Sequence, residues 1–512
     1  MKKLALLFLV LIQLSVNGQV TITLDLKGVA NKKVSSKIAE GSKIEIIEIK
    51  DNIDPDAGNN TNFTAKNTAT ILINGETESI SFSQLDKIYI TPTNCKEFWT
   101  NQALKQLTYK NLLSKGFQYT LRSELEDDAL EYLNYVKNNN LTFEDSYLES
   151  YLYSLAYKIY PTSISDGRPG ILNIKIIKDF TPNAFILPNG SMFVTTGLLS
   201  TINSEDELIG VLAHEISHFV LDHSVININK AIQRKKNSEF WAGFATFAAA
   251  ATEGYLMSKN SYYRPGALTY STAVIAQSIA NSVDERMGLK YTREQEIEAD
   301  KCAVELMKFI SVDPLALSSA LSKIKKYCIL NGNFLALSGE GTHPALDLRI
   351  RTIGKPIVFN DVKYDRKISF INTFNSIVEL NNQHFVFCID LAKRNIDANV
   401  ATEDDYLLVA IATINMFDNE QKNLEALDLI NRAKSLKIYP SLNLSKQEAI
   451  VLIRLKKLSE AKLCLQKYRE ELDNERLNNS KIIEAQQWSS TNMFINKEYE
   501  WTVKMINKVD KL

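Results

Sequence analysis

The stretch from Ser204 to Ser224, SEDELIGVLAHEISHFVLDHS, constrains this chain more than any other. Leu208, Leu212, Ile216, Phe219 and Val220 recur at helical spacing, and Ser204 followed by Glu207 forms a capping box that starts the helix. Side chains four apart on a helix lie about 40° apart, so His214 and His218 share a face, and Glu215 projects about 60° from His218. Two imidazoles and a carboxylate therefore converge in an HExxH pattern, which a metal ion can use. His223 follows five residues after His218. On a continuing helix it lies about 140° round and faces away, so it is expected to be structural.

The segments before this helix predict what surrounds it. Residues 1–18, MKKLALLFLVLIQLSVNG, join a basic start to a short apolar run and a polar exit, the pattern of a cleaved signal peptide. An exported chain, periplasmic or secreted and soluble after cleavage, is expected. From 19 to 95, five alternating runs (VTITLDL, KIEIIEI, TATILI, SISFS, KIYIT) predict a small, SH3-like β domain, with Asn74-Gly75 as a hairpin turn. Helical spacing follows to about Tyr160. An extended pair, GILNIKIIKD and NAFILPNGSMFVTTGLL, then leads into the HEISH helix. Such a segment offers an edge on which a peptide adds as a further strand.

Charge and cysteine usage narrow the classes. With 59 basic and 60 acidic residues, nothing favours a polyanionic partner, and nucleic acid is excluded from the reading. Five cysteines with no CxxC suggest neither a zinc knuckle nor a disulfide scaffold. Two apolar stretches between Phe240 and Val283 are read as buried soluble helices, because the first is alanine-rich and carries Glu253 and the second is polar-studded. Membrane contact stays open and insertion is disfavoured.

A catalytic zinc needs a third protein ligand. The run TREQEIEADKCAVELM, 292–307, supplies candidates on a second helix, with Glu296 and Asp300 four apart on one face. Glu296 is favoured, and Glu298 then lies about 200° away, but Glu294 and Glu298 form a pair of their own and spacing does not choose between the faces.

Taken in order, NAFILPNGSMFVTTGLL, NSEDELIGVLAHEISH, YTREQEIEAD and THPALDLRI resemble peptidase family M48, over roughly Leu113 to Ile353. That family includes the CAAX prenyl, heat-shock membrane and periplasmic beta-barrel-assembly-enhancing proteases. The resemblance implies a mostly helical zincin-type (gluzincin) domain with a short sheet. It implies one zinc ion on His214, His218 and Glu296, which settles the choice against Glu298, with Glu215 as general base toward an activated water. It also implies that Asp300 orients a ligand imidazole and that Asn183, in the NAF motif with Ala184 and Phe185, aligns substrate. The HPxxxxR pattern matches His343, Pro344 and Arg349, which makes His343 a candidate for oxyanion support or a zinc cap and brings Arg349 to the site.

Beyond Asn360 the periodicity is helical throughout. NLEALDLINRAKSLKIYP and LSEAKLCLQKYREELDN superpose at a shift of 35 residues, near the tetratricopeptide period. The reading is therefore a multi-domain α+β chain. It has a signal peptide (1–18), a β domain (19–95), a zinc metallopeptidase domain (96–355) and an all-α TPR-like domain (356–512) that binds protein partners. In layout it is closest to the periplasmic branch of the family. Polypeptides, including unfolded or envelope proteins, are the expected substrates. The rival readings are a chaperone or assembly scaffold with a latched site, and an integral membrane protease.

Overall fold

The structure, a computed structural model, describes residues 19–52, 68–105, 129–161 apart from 131, 135, 139 and 140, 172–227, 291–330, 346–436, 442–479 and 485–511. The signal-like segment 1–18, the apolar stretches between Phe240 and Val283, and His343 with Pro344 lie outside the described residues. Described residues up to Phe359, except Asp179–Thr181, form one compact unit, and those from Asn360 onward form a second.

In the first unit each alternating run is a strand: β1 (Gln19–Ala30), β2 (Lys43–Asn52), β3 (Thr68–Ile73), β4 (Glu76–Ser81) and β5 (Ile88–Ile90). They form an antiparallel sheet in the order β4-β3-β2-β1-β5. Ile44 and Ile46 point inward with period two, and the parity then slips to Ile49 because the β2–β3 register shifts between Ile46 and Glu48. Asn74 and Gly75 connect β3 to β4 with φ of 51° and 85°, the paired positive values that a two-residue hairpin turn requires. A 3-10 helix at Phe82–Lys87 returns the chain so that β5 pairs with β1.

Helix α1 (Cys95–Lys105) is fastened to α2 (Ser146–Ile159) by Trp99, whose buried indole N–H donates to the Ile159 carbonyl at 2.7 Å. The predicted extended pair becomes three strands, β6 (Asn173–Ile177), β7 (Ala184–Ile186) and β8 (Ser191–Thr195), in the order β6-β8-β7. β6 runs parallel to β8 and β7 antiparallel, so β7 is an edge strand of that sheet. Its inner side packs on the HEISH helix. The sheet does not lead straight into that helix. Thr195 caps a short helix α3 (Thr196–Thr201), and only then does α4 (Glu205–Val220) begin.

Three further helices follow in the described unit: α5 (Arg293–Phe309), α6 (Leu315–Leu330) and α7 (Leu346–Ile353). α4 packs against α5 and α6. At the second contact a Cβ on Gly210 would stand 3.1 Å from the Leu317 Cα, so the two backbones approach this closely only because Gly210 has no side chain.

The second unit is a run of helices: α8 (Val362–Lys367), α9 (Ser369–Asn381), α10 (Phe385–Asp397), α11 (Glu403–Met416), α12 (Glu420–Leu436), α13 (Leu442–Arg454), α14 (Leu458–Asn479) and α15 (Ala485–Val509). From α9 on, each helix packs on the next. Ala426, Ala433, Ala461 and Tyr468, the positions aligned by the 35-residue shift, are all fully buried in those contacts. Among the described residues no helix is long and apolar enough to cross a membrane, and all five cysteines are free thiols.

Candidate metal centre

The start of α4 decides where the motif sits. The Ser204 hydroxyl accepts from the Glu207 amide at 3.2 Å, as a capping box requires. The Glu207 carboxylate then departs from that pattern. It accepts from the Asn203 amide at 2.6 Å and holds Lys323 of α6 at 2.6 and 2.8 Å, so the cap also anchors α4 to its neighbour. Helix α5 begins with a full capping box between Thr292 and Gln295, which places Glu296 in its first turn, where a carboxylate is favoured by the helix dipole.

These two helices bring the expected ligands together. One donor atom each from His214, His218 and Glu296 lies within 4.8 Å of the others, and all three side chains are buried. The two Nε2 atoms stand 3.0 Å apart, and the Glu296 carboxylate oxygens lie 3.5 Å from each of them. Tetrahedral zinc with bonds near 2.1 Å separates its ligand atoms by about 3.4 Å, so the spacing suits that ion.

Hydrogen bonding explains why these atoms face inward. The Nδ1–H of His214 donates to Asp300 Oδ1 at 2.9 Å, which leaves a lone pair on Nε2. Arg349 of α7 binds Asp300 in a fork, Nε to Oδ2 at 2.8 Å and Nη2 to Oδ1 at 2.7 Å, while its Nη1 reaches Glu296 at 2.5 Å. Three buried carboxylates, Glu215, Glu296 and Asp300, thus share a single guanidinium, an acidic surrounding that favours a bound cation.

The titration shifts report the same field. Burial and Arg349 both push His214 down, but Asp300 and Glu296 outweigh them and its pKa rises to about 9, so the cluster draws positive charge onto that ring. His218 moves well below the ordinary imidazole value through burial, with the neighbouring His214 and His223 adding to the effect. Burial raises Asp300 and Arg349 lowers it, and the charges around it leave the carboxyl below its usual range. The donor set, its spacing and its charge fit a zinc ion.

Two residues turned away from the site by spacing arguments belong beside it. Helix α4 ends at Val220, and Asp222 takes the left-handed conformation with φ 56°, so the helix breaks there and resumes at His223 in a new direction. His223 therefore swings back, and its Nδ1 lies 2.8 Å from Nδ1 of His218. Glu298 bears on this second layer, 3.3 Å from His223 Nε2. Tyr291 was not anticipated at all. Its ring stacks on His218 at 3.6 Å and 14°, and its hydroxyl meets Ser224 Oγ at 3.2 Å. The available signal was the aspartate before His223, a residue type that tolerates the turn ending a helix.

The NAF segment contributes mainly backbone. Asn183 exchanges hydrogen bonds with Thr195, its amide donating to Oγ1 at 2.9 Å, and its side chain is half-buried. Ala184 is buried, and Phe185 is a core residue stacked on Phe193 at 5.1 Å. His384, just before α10, bonds Glu379 at 2.7 Å.

Comparison with known proteins places these elements in context. Residues 154–357 match the sequence model of peptidase family M48. The mitochondrial metalloendopeptidase OMA1 of Schizosaccharomyces pombe is 27% identical over 212 residues, 41% of this chain and 54% of that protein. A Protease HtpX homolog of Fusobacterium nucleatum is 33% identical over 135 residues, 26% of this chain and 38% of its own. A Vibrio cholerae protein described as a candidate beta-barrel assembly-enhancing protease is 25% identical over 194 residues, 38% of this chain and 36% of its own. The chain thus spans about half or less of the length of these relatives.

Proposed function

We propose, on the match of residues 154–357 to peptidase family M48, that this chain is an exported zinc metalloendopeptidase acting on unfolded or envelope proteins. The observation that carries the reading is the convergence of His214 Nε2, His218 Nε2 and the Glu296 carboxylate within 4.8 Å, with Glu215 buried on the same helix. A zinc ion held there supplies Lewis-acid polarisation of a water and of the substrate carbonyl.

The chain's own groups do the rest. The Glu215 carboxylate takes a proton from the attacking water and returns it to the departing amine. Asp300 holds the His214 ring in its inward-facing tautomer, and Arg349 holds Asp300. The edge strand β7 receives an extended polypeptide beside α4, with Asn183 at its start aligning the chain and the Ala184–Phe185 backbone pairing with it. Because Phe185 is committed to the core, this segment recognises substrate through main-chain groups more than through its aromatic ring. His343, outside the described residues, remains the proposed oxyanion support or zinc cap. The signal-like residues 1–18 support export, and the name of the Vibrio cholerae relative supports an envelope role.

Cleavage of casein or a denatured protein by zinc-loaded enzyme tests the reading. Glu215→Gln should lower the rate by about 10²- to 10⁴-fold while keeping the metal. The sequentially packed helices of the second unit support a second reading as a TPR-like client-binding scaffold. That reading wins if the zinc-loaded wild type cleaves nothing yet binds unfolded clients. Release of the chain by carbonate extraction would remove the membrane-inserted alternative.

A further inference from the structure

His218 can offer Nε2 to a cation only if its own proton sits on Nδ1, and a buried N–H must have an acceptor. For His214 the acceptor is Asp300. For His218 the group at Nδ1 is another imidazole, His223 Nδ1 at 2.8 Å, and both rings are buried. A proton relayed in this direction requires that His223 accept at Nδ1 and therefore carry its proton on Nε2. Glu298 meets that demand, with Oε2 placed 3.3 Å from His223 Nε2. The opposite polarity would set the Nε2 lone pair of a neutral His223 against a carboxylate.

We propose that His223, oriented by Glu298, is a positioning residue that fixes His218 in the tautomer that binds the metal. The inference rests on the reading of His214, His218 and Glu296 as ligands. The two ligand histidines are then held alike, by Asp300 directly for His214 and by Glu298 through one intervening imidazole for His218. Other contacts prevent His223 from drifting. Gln295, whose side chain also completes the α5 cap, donates to the His223 carbonyl at 3.4 Å, and the Tyr291 ring lies against His218. Bringing His223 here requires the left-handed turn at Asp222. The turn that ends α4 is thus part of how the site is built.

The test is zinc affinity of the full chain, measured by competition with a chromophoric chelator, with metal-free thermal unfolding as the folding control. His223→Phe keeps the ring and loses the acceptor, and it should weaken zinc binding by about 10- to 100-fold. His223→Gln, whose amide both accepts and donates, should recover affinity to within about threefold of wild type. Glu298→Ala should lose about tenfold. The chain has only five histidines, so ¹⁵N-histidine labelling of the zinc form can read the tautomers directly. His223 should carry its proton on Nε2.

Wild-type affinity in His223→Phe, equal loss in His223→Phe and His223→Gln, or a His223 proton on Nδ1 would each overturn the proposal. If His223→Phe does not fold, unchanged affinity in Glu298→Ala overturns it instead. Failure of the wild type itself to bind zinc would refute the ligand reading, a different result from tight binding that ignores His223.

Discussion

Two buried polar clusters in this chain are built on opposite principles. In the second unit, Asp405 at the start of α11 accepts from Thr373 Oγ1 at 2.7 Å, Asn395 Nδ2 at 2.9 Å, the Thr402 amide at 2.8 Å and Thr402 Oγ1 at 3.1 Å. Asn372 Nδ2 donates in turn to Asn395 Oδ1 at 3.1 Å. Asp405 there meets four donors, and the cluster ties α9, α10 and α11 into one piece. In the first unit, two imidazole nitrogens and a carboxylate point at one another across 3.0 to 3.5 Å. Each of those groups can turn a lone pair toward the same point once any proton there is displaced, and a cation fits between them. The difference separates a polar cluster that holds a fold from one that holds a ligand, although both are buried and both lie between helices.

The comparison breaks most visibly at Glu296. Glu296→Ala removes one of three converging donors, and zinc affinity should fall by at least about 10³-fold, equivalent to about 4 kcal/mol. Retention of zinc equal to wild type, measured by metal analysis after dialysis, would sink the ligand assignment. Arg349→Met comes next. The guanidinium is fully buried and is the cation facing Asp300 and Glu296, so its loss should destabilise the metal-free protein by about 4 kcal/mol. Added zinc should restore part of that, because a second cation then faces the same carboxylates. Thermal unfolding with and without zinc reads both effects, and an unchanged metal-free midpoint would refute the charge argument.

The Asp405 cluster should respond differently. Asp405→Ala removes the acceptor of the Thr402 amide and hydroxyl and one of the acceptors of Thr373 and Asn395, and should cost about 3 kcal/mol. Zinc should recover none of it, as seen in hydrogen exchange of α9 to α11. Recovery by zinc would show that the two clusters are not independent.

How legible each cluster was follows from its geometry. HExxH and the acidic run EQEIEAD declare their chemistry because ligand spacing on a helix is local, and the resemblance then selected Glu296 over Glu298. The alternating N-terminal runs were equally readable, since period two needs no tertiary knowledge. The contact of His223 with His218 was not foreseen, because it depends on one left-handed residue at Asp222 and spacing arguments assume that a helix continues. The stacking of Phe185 on Phe193 of β8 had no signal in the sequence, since it is set by strand pairing. The Asp405 cluster gave no signal. Its members come from three helices, and Asn, Thr and Asp are also what a solvent-facing helix start would carry.

The smallest expected effect is also the most specific to that cluster. Burial pushes the Asp405 carboxyl up to about 6 from the ordinary 3.8, and hydrogen bonds from Thr402, Thr373 and Asn395 only partly offset it. Between these values the folded chain keeps a proton that the unfolded chain has released. Stability contributed by this group is therefore present in full below about pH 4 and is lost as pH rises through about 6. Asp405→Asn removes the titration, so the difference in denaturation midpoint between wild type and variant should shift against wild type from pH 4 to 6 and then level off. The metal site supplies the control, because chelating zinc should move both proteins alike and leave this difference intact. Parallel pH profiles for the two chains would show that Asp405 does not hold its proton in the folded state.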